Sequence, residues 1–102
     1  MELMYQNVVE MMDRCCEEYA DLPMYGVPDN GDYNWMTFRD FAETVAELRG
    51  GLDLLGVGVG DRVGIISNNM IPWATMAYAT FSAGAVYVPM YTQQNKEQWQ
   101  YI

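Results

Sequence analysis

Apolar positions along this chain switch between the three-to-four spacing of helices and the short runs of strands. Val8, Met12, Cys15 and Tyr19 recur four, three and four positions apart, which predicts a helix ending near Ala20. Asn7 and Glu10 stand before it at capping-box spacing, so Asn7 is expected to accept from free N–H groups while Glu10 reaches back. Cys15 then falls on the apolar face as a small core residue. Leu22 to Val27, with Pro23 and Pro28 close by, suits an edge strand, because proline cannot donate to a ladder. Asp29-Asn30-Gly31-Asp32 predicts a turn, and Tyr33 to Met36 a returning strand.

Thr37 to Leu55 has the strongest periodicity. Phe38, Phe41, Val45, Leu48, Leu52 and Leu55 draw one apolar stripe, with Thr37 and Asp40 as its cap and Met36 against Phe41 as a hydrophobic staple. Gly56 is expected to close the helix in the left-handed conformation, with Val57 packing back on Leu52. Gly50-Gly51 inside the helix costs about 1 kcal/mol per glycine relative to alanine. Close approach of another backbone is the expected compensation.

Between Arg62 and Lys96 no side chain is charged. A stretch that long without charge must be enclosed by protein or lipid. Val63 to Ser67 is short and apolar on both faces, which predicts a central parallel strand. Ser67, Asn68 and Asn69 offer N-cap chemistry, and Pro72 suits a first helical turn. The helix from Trp73 to Ala83 lacks a polar face, so it should be sandwiched between the sheet and another layer. Ala85 to Met90 reads as the next strand, parallel to the first through a right-handed crossover. Asn95 and Gln98 cap a last helix carrying Trp99 and Tyr101. Seven residues of helix do not offset the nucleation cost alone, so this helix is expected to continue past Ile102.

Gly56, Gly58 and Gly60 invite a dinucleotide-binding reading, which their context excludes. That fingerprint follows a strand and opens a helix, whereas these glycines follow a helix and lead into a strand. They are read as a turn.

The bulk properties narrow the function classes. A chain of 102 residues holds one domain or part of a larger one, and its 51% hydrophobic content is that of a globular chain. A net charge of −9, with eight acids against Arg14 alone up to Asp32, argues against nucleic acid and anionic membrane surfaces. The acids read as a solvated face of the first helix. Cys15 and Cys16 are neighbours and cannot staple distant segments, and without histidine a metal site is not expected. They fit the reduced thiols of a cytoplasmic protein. No signal peptide is visible from Met1 to Asp21. Ile71 to Met90 is long enough to span a membrane, but Pro72, Gly84 and Pro89 and the Val-Tyr-Val strand signature argue against a span.

Trp-Met-Thr-Phe-Arg-Asp-Phe (Trp35 to Phe41), the run from Leu55 to Asn69, Trp73-Ala74 and Gly-Ala-Val-Tyr-Val-Pro-Met-Tyr (Gly84 to Tyr91) occur here in that order. Together they resemble the N-terminal segment of the adenylate-forming (AMP-binding) enzymes: acyl-CoA synthetases, peptide-synthetase adenylation domains and luciferases. The ending from Val88 to Tyr91, followed by Gln98 to Ile102, is most similar to long-chain fatty acyl-CoA synthetases. Pro72 departs from the acidic residue such sequences often carry before the tryptophan. The resemblance covers the chain from about Tyr33 onward.

It implies an α/β fold, the N-terminal portion of the large domain of such an enzyme. A βαβ crossover with parallel strands would be joined there by an N-terminal helix and an edge hairpin. Residues 1–102 would form a partial domain, with an acidic helix and edge strand over 1–32 and a hairpin strand, long helix and βαβ unit over 33–102. It further implies a ligase using ATP, Mg and coenzyme A. That chemistry needs a lysine-bearing Gly/Ser/Thr-rich phosphate loop, a metal carboxylate and a late lysine. Lys96, the one lysine, sits in a polar turn without glycines. No catalytic, cofactor-binding or metal residue is therefore assigned, and the segment alone is expected to be inactive. Its expected partners are the remainder of the parent enzyme and, in isolation, further copies of itself. The alternative is a stand-alone, non-catalytic interaction module derived from that family. A reading frame continuing into a glycine- and threonine-rich lysine loop would favour the enzyme, and a stop after Ile102 the module.

Overall fold

The computed structural model describes residues 4–102. Helix α1 (Val8–Glu18) leads into the hairpin β1 (Pro23–Asp29) and β2 (Asp32–Thr37), followed by α2 (Phe38–Leu54). Strand β3 (Arg62–Ile66), α3 (Ile71–Ser82), β4 (Val86–Met90) and α4 (Lys96–Tyr101) complete the order. β1 and β2 pair antiparallel, and β3 and β4 form a separate parallel pair in the register Arg62↔Val86 to Ile66↔Met90. The expected βαβ crossover, N-terminal helix and edge hairpin are all present.

The hairpin turns on Asn30 (φ 48°) and Gly31 (φ 83°). Positive φ at both central residues matches the twist of the flanking strands, which explains the Asn-Gly pair. Trp35 lies across the backbone at Gly26, where a Cβ would come within 2.7 Å of the indole. Chain direction then changes at Thr37, whose hydroxyl accepts from Asp40 N (3.1 Å) while Asp40 Oδ2 accepts from Thr37 N (3.3 Å). The carbonyls of Leu22 and Ala20 take the amides of Phe38 and Arg39, tying the α1–β1 link to the start of α2. At the far end of α2, Val57 N donates to Leu52 O and Gly56 N to Asp53 O, with Gly56 at φ 83°. This is the Schellman closure expected of Gly56.

α3 lies between the β3–β4 pair on one side and α2 on the other, as its lack of a polar face demands. Its buried residues are small (Thr75, Ala77, Ala79 and Thr80), which lets α2 approach closely. The two buried hydroxyls are satisfied inside the helix: Thr80 donates to Met76 O (2.8 Å) and Thr75 to Pro72 O (3.2 Å). Phe41, fully buried, fills the junction, with its ring 5.7 Å from Tyr25 and 5.9 Å from Tyr78.

Several expectations are corrected. Cys16 is the buried cysteine and Cys15 is only half-buried, because α1 is rotated so that Met12 and Cys16 face Phe41 across a small cavity. Glu10 caps one residue further back than expected, accepting from Gln6 N at 2.7 Å. The stripe of α2 turns inward only as far as Leu52, and Leu55 is 81% exposed because the Schellman turn swings the chain away. Among the described residues a Cβ at Gly50 or Gly51 would meet nothing within 4 Å, so the expected close backbone approach is not seen there. The N-cap of α3 is Met70, without a side-chain bond; Pro72 falls in the first turn, where its missing N–H costs nothing. β3 alternates between covered and exposed residues and has one hydrogen-bonded neighbour among the described residues, so it is not covered on both faces here.

Candidate functional site

In α/β sheets ligands bind in the crevice outside the carboxyl ends of parallel strands. Here that edge is made by Ser67–Met70 after β3 and by Tyr91–Asn95 after β4. One side-chain hydrogen bond joins the two segments, and the others brace each from within. Thr92 Oγ1 donates to Asn68 Oδ1 (3.3 Å), Tyr91 N to Gln94 Oε1 (3.1 Å), and the Trp99 indole N–H to Tyr91 O (3.0 Å). Ser67 Oγ donates to Asn68 O at 2.9 Å. With Ser67 and Asn68 so engaged, α3 starts only at Ile71.

Two cavities open at this edge. One, of about 270 Å³, is lined by Ser67, Asn69, Trp73, Pro89, Met90 and Tyr91. The other, of about 710 Å³, runs between Tyr25–Pro28 of β1 and Asn69–Ala74 at the start of α3. Asn69 and Trp73 line both. Trp73 is held by Tyr87, whose hydroxyl donates to Trp73 O (2.8 Å) while the rings meet edge-on at 5.3 Å. Burial pushes the Tyr87 phenol above its ordinary 10.0, so it stays a neutral donor.

No lining residue of either cavity carries a charge. The arrangement offers the Asn69 amide, the hydroxyls of Ser67, Tyr25 and Tyr91 and apolar walls, which can bind and orient. It holds no carboxylate, imidazole or cationic side chain to take up a proton or neutralise phosphate oxygens. The residues also do not fit a magnesium–nucleotide complex. Among the described residues no three His, Cys, Asp or Glu side chains converge. Gly56–Gly60 lies between α2 and β3, at the helix end whose dipole repels anions. It serves instead as a structural clasp: Gly60 N donates to Gly84 O (3.0 Å), Val86 N to Asp61 O (2.7 Å), and Gly58 N to Asp61 Oδ2 (2.8 Å). Lys96 is exposed at the start of α4.

The sequence marks no site residue, and Asn69, Trp73 and Tyr91 emerge as a lining set only in the structure. The signal that marks Asn69 and Tyr91 is position alone, namely their place just past the carboxyl ends of two parallel strands.

Comparison with known proteins places this architecture. The family model described as "AMP-binding enzyme" matches residues 12–102. The long-chain-fatty-acid–CoA ligase FadD15 of Mycobacterium tuberculosis is 31% identical over 96% of the chain, which spans 16% of that protein. A long-chain-fatty-acid–CoA ligase of Salmonella typhimurium is 31% identical over 91% of the chain, which spans 17% of it. Among solved structures, the anthranilate CoA ligase AuaEII in complex with anthranoyl-AMP superposes with a TM-score of 0.84. It is 25% identical, over 98% of this chain and 19% of that one. The fatty acyl CoA synthetase of Mycobacterium tuberculosis gives 0.84 at 24% identity, over 93% and 18%. The chain thus spans about a sixth of the length of these ligases.

Proposed function

This chain belongs to the AMP-binding enzyme family, and we propose that it is part of the N-terminal domain of an ATP-dependent ligase that joins a fatty acid to coenzyme A. In that reaction the acid's carboxylate displaces pyrophosphate at the α-phosphorus of ATP, forming an acyl-adenylate. The sulfur of coenzyme A then attacks the acyl carbon, AMP leaves, and the thiol proton passes to solvent. The observation that carries the reading is the 31% identity to long-chain-fatty-acid–CoA ligases over nearly the whole chain.

Within such an enzyme these residues act as framework and are inactive alone. The phosphate-neutralising lysines and the magnesium carboxylate would come from outside residues 1–102, since the side chains here do not fit that role. The partner of the uncovered β3–β4 face is the remainder of the same polypeptide, because parallel sheets are stable when both faces are covered. Cytoplasmic residence is part of this reading and is supported by the two free thiols.

The test is to purify the whole polypeptide that contains this chain and supply ATP, magnesium, coenzyme A and carboxylic acids from acetate to palmitate. Long-chain acyl-CoA and AMP should form together. Absence of both with every acid would overturn the proposal. Adenylate without thioester would overturn coenzyme A as the acceptor.

A further inference from the structure

We draw no further inference here: the strongest candidate, the uncharged groove of about 710 Å³ between β1 and the first turn of α3, is an unpartnered apolar surface, and nothing in the structure shows what covers it.

Discussion

Replacing Phe41 with alanine removes the side chain on which the two halves of the chain converge. Phe41 is 0% exposed and touches Tyr25 of the hairpin and Tyr78 of α3. Truncating a buried phenylalanine costs about 3–5 kcal/mol through lost burial and the cavity left behind. Two aromatic contacts, each worth roughly 0.5–1.5 kcal/mol beyond area, push the value toward the upper half of that range. The new hole would also join the cavity of about 140 Å³ that Phe41 already lines with Met12 and Cys16. A loss of about 4 kcal/mol is a large part of the 5–15 kcal/mol of a typical domain. At roughly 4–8 °C per kcal/mol for a chain of this size, the melting temperature should fall by more than about 15 °C. The assay is urea denaturation followed by circular dichroism at several protein concentrations. Leu54→Ala serves as the control, because Leu54 sits on the same helix but is 89% exposed. Its effect should stay within about 0.5 kcal/mol. A loss below about 1 kcal/mol for Phe41→Ala, or equal losses for the two variants, would refute this picture of the core.

The glycines supply a sign test. Gly50→Ala should stabilise by roughly 0.5–1 kcal/mol, since the site is open and helical, whereas Gly84→Ala should destabilise by about 1–2 kcal/mol. Gly84 has φ +72°, and its Cβ would lie 3.0 Å from Val59; denaturation midpoints moving in the same direction would contradict the assignment. Met70→Ser should stabilise by about 0.5–1 kcal/mol by giving α3 the side-chain cap it lacks, and an unchanged midpoint would count against the α3 boundary. For pH, burial first, then Asp13 and Cys15, pushes the Cys16 thiol above its ordinary 9.0, and Tyr78 and Tyr87 rise above 10.0 mainly through burial. The unfolded chain therefore ionises first, so stability is full below about pH 9 and falls as pH rises through the alkaline range. Stability that holds steady there would contradict that burial. The isolated chain should also self-associate through the uncovered β3–β4 face, where Ile66 and Val86 are exposed. Sedimentation should show mass rising with concentration and Ile66→Asp reducing it; a clean monomer at high concentration would exclude this.

Elements specified by short-range signals are legible in the sequence itself. The Asn30-Gly31 turn, the Thr37/Asp40 box, the Schellman glycine and the Asn95/Gln98 box each need only four to six neighbouring residues to act. The parallel pairing of β3 and β4 was legible too, because an uncharged strand–helix–strand has few other ways to bury itself. What escaped the sequence depends on packing between elements. Periodicity places Cys15 and Cys16 only about 100° apart on α1, so which one is buried is decided by how α1 docks against Phe41. The α3 boundary turned on Pro72 and on Asn68 being engaged with Thr92, 24 residues away. The carboxyl-edge crevice left no mark because its lining bears no charged side chain, and residue type alone marks a site mainly when charge or a nucleophile is present. The family itself was legible from the blocks between Trp35 and Tyr91.

In the proposed function this segment is framework, and residues outside it supply the nucleotide chemistry. Isothermal titration of magnesium–ATP into the purified 102-residue chain tests that most directly. The predicted result is heat no greater than dilution at every ratio. Saturable binding with a micromolar dissociation constant would contradict it.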